Sequence, residues 1–134
     1  MSVQQNKKEF IRFIITGLSA VGVDLITYYL LMDLLTIDTA KAIGFIAGSI
    51  VAFFLNKIWT FENTSNIKSS AIQFSLLYTI TFFANVTINH LTLLLFSNLT
   101  LLAFLAATAT STILNFIGMK FWVFKVEPSM NEQG

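Results

Sequence analysis

Four long apolar stretches divide the sequence, from about Phe10 to Met32, Ala40 to Phe61, Ser70 to Phe96 and Leu99 to Phe124. A helix crossing the hydrocarbon layer of about 30 Å needs about 20 apolar residues, so each stretch suffices for one crossing. The segments between them are short. The first pair turns through Asp33 to Thr39, and a polar connection from Glu62 to Ser69 leads into the second pair. Between Ser69 and Met119 there is no Asp, Glu, Lys or Arg, and only His90 can acquire a charge. That span is far too long for one crossing, and Ser97-Asn98 is its most turn-like pair. The pattern predicts an all-α integral membrane protein of four transmembrane helices, one four-helix membrane domain over 1–134. The tail 125–134, with Pro128 and Glu132, reads as a polar, disordered end.

The basic residues orient this arrangement, because Lys and Arg accumulate in short cytoplasmic loops. Lys7, Lys8 and Arg12 precede the first stretch, Lys57 and Lys68 flank the central connection, and Lys120 and Lys125 close the fourth. Only Lys41 falls on the opposite side. Both termini and the central connection are therefore expected in the cytoplasm. The N-terminal cations before an apolar run resemble a secretory signal, but the run is too long for an h-region, contains Asp24, and is followed by no small-x-small cleavage site. It is expected to remain as the first helix.

The second half of the chain repeats the first. Ile11-Arg12-Phe13 matches Ile72-Gln73-Phe74 at an offset of 61, which pairs Asp24 with Asn85. Lys57-Ile58-Trp59-Thr60-Phe61 matches Lys120-Phe121-Trp122-Val123-Phe124 at an offset of 63. With that offset, Ala40, Gly44, Gly48, Ala52 and Asn56 fall on Ala103, Ala107, Ser111, Asn115 and Met119. Two helical hairpins, about 10–61 and about 70–124, are predicted as repeats. Each contains two crossings and enters from the same side, so the repeats are parallel, related by an axis along the membrane normal.

Composition narrows the function classes. Hydrophobic residues make up 55% of the chain and charged ones 11%, against about 25% charged in a soluble domain. Little length is left for an extramembrane catalytic domain. A net charge of +1 carries no message about nucleic-acid or acidic partners, none of which is expected, and the absence of cysteine excludes disulfides, thiolate metal sites and thiol catalysis. There is no phosphate-binding Gly-rich loop, no nucleophile elbow, no metal-ligand cluster and no acidic nucleotide-sugar motif. The expectation is a non-enzyme with no catalytic residue, cofactor or metal.

Few residues are left to carry chemistry. An ionisable group within a membrane helix costs about 2.5–3.5 kcal/mol on insertion scales, which makes Asp24 a functional candidate; its alternative is a packing hydrogen bond. At about 1.5 Å per residue it lies about 21 Å along the axis from Phe10, beyond the midplane. Asn85 is expected at the same depth, with Asn56 and Asn115 near the cytoplasmic ends of helices two and four. The four residues would form a polar track, unless each amide only bonds a neighbouring backbone. His90 has no second ligand at a metal spacing and reads as a packed polar side chain. The small residues at spacing four read as helix-packing surface. Trp59, Phe61, Trp122 and Phe124 have the look of interface anchors, with Lys57 and Lys120 snorkelling beside them. Together with Arg12, the two lysines would also suit a lipid phosphate at headgroup depth.

These features resemble the GtrA-like family of small bacterial membrane proteins, which includes teichoic-acid and O-antigen glycosylation proteins. The resemblance rests on Arg12-Phe13 with Gly17, Asp24, Asn56 to Phe61, Asn115-Phe116 and Lys120 to Phe124. Met119 stands where the first repeat has Asn56, a departure from strict symmetry. The resemblance implies a multi-pass protein of the bacterial cytoplasmic membrane that flips a polyprenyl-phosphate-linked monosaccharide, such as an undecaprenyl-phosphate sugar, to the outer leaflet for cell-envelope polysaccharide or teichoic-acid glycosylation. It implies partnership with membrane glycosyltransferases on the two faces. Arg12, Lys57 and Lys120 would hold the phosphate, and Asp24, Asn56, Asn85 and Asn115 the sugar. Alternatives are a non-transporting subunit that anchors a glycosyltransferase and a proton-coupled small multidrug exporter. Four helices are few to enclose a sugar path, which leaves a place for a second copy of the chain.

Overall fold

The computed structural model describes residues 3–125, so the tail expected to be disordered lies, apart from Lys125, outside the described residues. Four helices account for almost all of them: α1 (Val3–Leu31), α2 (Ile37–Leu55), α3 (Ile67–Leu95) and α4 (Thr100–Gly118). Two π-helical turns extend the even-numbered helices, the first over Asn56–Thr60 and the second over Met119–Val123. Among the described residues there is no strand. All four helices are long and apolar enough to cross a membrane, over spans of 29, 22, 29 and 24 residues. At about 1.5 Å per residue, α1 and α3 reach about 43 Å and so exceed the hydrocarbon layer.

The first three helices begin earlier than the hydropathy boundaries, and α4 begins one residue later than its own. α1 starts seven residues before Phe10, because Gln5, Lys7, Lys8 and Glu9 form helix readily and Gln5 Nε2 donates to Glu9 Oε1 at 3.1 Å, four residues on. Hydropathy marks where a helix meets lipid, not where it ends. The caps are local: Thr36 Oγ1 accepts from the Thr39 N–H ahead of α2, and Asn66 Oδ1 accepts from the Lys68 and Ser69 N–H groups ahead of α3. The second hairpin turns at Ser97-Asn98, the pair its sequence marks.

The chain forms two compact units, which divide between Thr64 and Ser65. In unit 1, α1 packs on α2 and on the first π turn. Ala40, Gly44, Gly48 and Ala52 are all buried along α2, and Asn56 at the start of the π turn is buried in line with them. A Cβ on Gly48 would stand 2.6 Å from the Ala20 carbonyl oxygen, and one on Gly44 2.7 Å from that of Asp24. The two helix backbones approach closely only because both positions lack a side chain. In unit 2, α3 packs on α4 and on the second π turn, with Ala103 and Ala107 buried. There the Leu77 side chain covers Gly118, and Phe74 packs against Tyr78 and Phe124 with ring centroids 4.2 and 6.4 Å apart.

In each unit a polar position of the first helix meets a small residue of the second. A Cβ at Gly48 would lie 3.2 Å from Asp24 Cβ, and Asn85 Nδ2 donates to Ser111 Oγ at 3.1 Å. Ser111 in turn donates to the Thr108 carbonyl at 3.2 Å, so its hydroxyl is used as donor and acceptor.

Candidate functional site

Each π turn is a helix widened by one residue at the point where the duplicated motif begins. The Phe61 N–H donates to the Asn56 carbonyl at 2.9 Å, and the Phe124 N–H to the Met119 carbonyl at 2.8 Å, both spanning five residues. The N–H groups of Asn56 and Met119 are shared between two preceding carbonyls, those of Ala52 and Phe53 and those of Asn115 and Phe116. A widened turn redirects the side chains that follow it, and such turns recur at functional positions. Here the three inward positions of each turn are Asn56, Lys57 and Thr60 in unit 1, and Met119, Lys120 and Val123 in unit 2.

The outcome is a buried lysine at the end of each even-numbered helix, 5% exposed at Lys57 and 7% at Lys120. Burying an ammonium costs several kcal/mol unless it is bonded. Lys57 Nζ donates to Asn63 Oδ1 at 2.7 Å, and the Asn63 N–H returns to the Lys57 carbonyl at 2.7 Å. Lys120 Nζ stands 5.8 Å from the centre of the Phe121 ring. Two amide oxygens are buried without a partner among the described residues, Asn56 Oδ1 in the first π turn and Asn115 Oδ1 on α4.

Arg12 joins Lys57 at the same end of unit 1, but it is already engaged. One N–H of its Nη1 goes to the Trp59 carbonyl at 2.8 Å and the other to Glu62 Oε1 at 2.9 Å, while the guanidinium lies 5.0 Å from the centre of the Trp59 ring. Lys8 reaches the same Glu62 oxygen at 3.3 Å. The Lys8 hydrogen bond and charge, then Arg12, hold the exposed Glu62 carboxyl below the usual carboxylate range. Because this value is depressed by folding, the pairing contributes above the ordinary carboxylate range and is lost as acid takes the pH through the lowered value. Beneath this cluster, the Thr16 and Thr60 hydroxyls meet at 3.1 Å in a buried contact.

Asp24 lies elsewhere in unit 1. Its Oδ2 accepts from Lys41 Nζ at 2.6 Å, and its Oδ1 is buried without a partner among the described residues. Lys41, the one cation set apart by the charge distribution, is thus neutralised by the one acid of the first apolar stretch. Asn85 occupies the matching position of unit 2, against Ser111. Of the four aromatic residues at the helix ends, Trp122 is 42% exposed, as an interface ring must be, Trp59 is half-buried, and Phe61 and Phe124 lie in the interior.

Several participants escaped sequence reasoning. Glu62 and Asn63 sit in an irregular connection where no periodicity indicates a partner, and Lys8 passed for one of several cytoplasmic charges. The Asp24–Lys41 pair had a usable signal, since two lone opposite charges in adjacent crossings seek each other.

Four spanning helices with charges gathered at helix ends define a multi-pass membrane protein. The family model of the GtrA/DPMS transmembrane domain matches residues 12–124, and the chain belongs to that family. Membership associates it with polyprenyl-phosphate-sugar-related processes. No solved structure matches the chain.

Proposed function

We propose that this protein carries a polyprenyl-phosphate-linked monosaccharide from the cytoplasmic to the outer leaflet of the bacterial cytoplasmic membrane, for glycosylation of a cell-surface polymer. The observation that carries this reading is the pair of buried lysines, Lys57 and Lys120, each on a π turn, with a buried amide oxygen that has no partner among the described residues in the same unit, Asn56 Oδ1 and Asn115 Oδ1. A buried cation favours an anion, and orphaned acceptors favour hydroxyl donors. A lipid-linked sugar supplies both, and its tail stays in the bilayer. Asp24 and Asn85 would serve the sugar nearer the outer face. The chain breaks no bond in this scheme and needs no cofactor, and consumption of the product by an outer-face glycosyltransferase drives transport. The exporter alternative is less well supported, because Lys41 already neutralises the Asp24 carboxylate that would have to bind a cation.

The test is leaflet exchange of a fluorescent polyprenyl-phosphate hexose in phosphatidylcholine vesicles holding the purified chain. Exchange above that of protein-free vesicles is expected. Exchange that appears only with an added glycosyltransferase would replace transport by the anchoring-subunit reading, and efflux of a lipophilic cation instead would favour the exporter.

The proposal includes topology. We place both termini and the connection 62–69 in the cytoplasm, with the hairpins as parallel repeats, supported by the one-sided basic residues and by the 24–48 and 85–111 registers. Because the chain lacks cysteine, single cysteines at Ser65 and Asn98 report without background. An impermeant thiol reagent on intact cells is expected to label Asn98→Cys and to spare Ser65→Cys; the reverse result would overturn the orientation.

A further inference from the structure

At the charged end of α1, Arg12 is fixed more firmly than the anion it holds, while Lys8, with a side chain 45% exposed, reaches only that anion among the described residues. Arg12 is held by the Trp59 carbonyl at 2.8 Å and faces the Trp59 ring at 5.0 Å, and neither contact involves Glu62. Glu62 is bound, among the described residues, only by Lys8 and Arg12, at 3.3 and 2.9 Å. Its side chain is 58% exposed, and it stands in the connection outside any helix. It is also the sole described residue with φ in the left-handed region, at 48°, which disfavours any side chain bearing a Cβ. The carboxylate is therefore the removable member of the cluster, and its departure frees its backbone to relax.

We infer that the gap between Lys8 and Arg12 is a seat for the phosphate of the polyprenyl-phosphate headgroup, and that Glu62 fills it as an intramolecular placeholder until that lipid arrives. The inference rests on the proposed function, adds Lys8 to the residues that touch the phosphate, and gives Glu62 the role of gatekeeper. A phosphodiester offers oxygens to both cations at once, and the fixed planar guanidinium suits it. While the seat is filled, no pair of open cations faces the headgroup layer. Bulk anionic lipid must then displace a bonded carboxylate to enter, a selectivity achieved by competition.

Binding to the full-length chain can be read from Trp59 emission in a Trp122→Phe background, since Arg12 lies over the Trp59 ring. The chain is titrated with phosphatidylcholine vesicles carrying a polyprenyl-phosphate hexose, with vesicles carrying phosphatidylglycerol at equal mole fraction, or with inorganic phosphate and plain vesicles. Glu62→Gln is expected to tighten binding of the polyprenyl-phosphate hexose about threefold to tenfold, and Lys8→Gln to weaken it by a similar factor in the Glu62→Gln background. Glu62→Gly, which suits the left-handed backbone, is expected to match Glu62→Gln. Equal affinities for wild type and both Glu62 variants would overturn the placeholder. An equal gain for phosphatidylglycerol, or the same emission change with inorganic phosphate, would overturn the seat as one for this headgroup. The readout is binding alone, so capture without leaflet exchange leaves the inference standing and sinks the proposed function; leaflet exchange indifferent to Lys8 and Glu62 does the reverse.

Discussion

Lys57→Ala is expected to lower outer-face sugar modification in cells about tenfold or more, at equal protein level in the membrane, and Lys120→Ala to do the same. The size follows from the setting, since a charged hydrogen bond is worth about 1.5–3 kcal/mol and each 1.4 kcal/mol is tenfold. At 5% and 7% exposure these lysines work where water competes poorly. The same burial decides the salt dependence. Exposed charges are screened beyond a Debye length of about 8 Å at physiological ionic strength, whereas buried ones are screened much less. The Lys57 effect should thus persist at high salt, while effects at Lys8, with a side chain 45% exposed, should shrink. Asn56→Ala and Asp24→Ala act after capture, by removing acceptors from a sugar that crosses a low-dielectric interior. Asp24→Asn keeps most of that capacity and should retain activity; an inserted but inactive Asp24→Asn would point to proton coupling. Normal modification by the quadruple alanine variant at Asp24, Asn56, Lys57 and Lys120 would remove the case for a transport path through these residues.

The second large effect is structural. Gly44→Ala with Gly48→Ala is expected to destabilise the first hairpin by about 1–3 kcal/mol per site, the usual cost of overpacking, and to lower the amount of folded chain in the membrane. At Gly48 the new methyl meets the Ala20 carbonyl oxygen at 2.6 Å, and at Gly44 the Asp24 carboxylate and carbonyl oxygens at 2.6 and 2.7 Å. Main-chain atoms cannot step aside, so α1 and α2 must separate, and the Asp24–Lys41 pair is strained with them. Gly17→Ala and Gly22→Ala are the controls, because a Cβ at either meets nothing within 4 Å. Gly118→Ala should fall between, since the obstructing group is the Leu77 side chain, which can turn. The measurement is thermal unfolding of the purified chain in detergent. A double variant that melts with wild type would refute the close-approach account.

Both expectations depend on features of unequal visibility in the sequence. The number of helices, their order and the turn at Ser97-Asn98 follow from hydropathy alone, because lipid forces every backbone polar group into an internal hydrogen bond and leaves a long apolar run no other form. The small residues of α2 were legible for the same reason, since their spacing of four survives any detail of packing. The helix ends were not, because Gln4 to Glu9 are polar and a helix persists beyond the membrane wherever propensity and a local pair such as Gln5–Glu9 sustain it.

What the sequence alone determined is a membrane protein of four apolar helices, with one acid, three amides and three basic residues singled out as candidates. What only the tertiary structure decided is how those groups are spent. The π turns bury Lys57 and Lys120, since one extra residue in a turn rotates the following side chains in a way no hydropathy pattern records. Arg12 goes to Trp59 and Glu62, Lys41 to Asp24, and the Phe61 and Phe124 rings go to the interior, because hydrogen bonds and close packing depend on which atoms meet across helices. Hydropathy ranks residues one at a time, whereas the polar contacts among these join positions 17 to 50 residues apart along the chain.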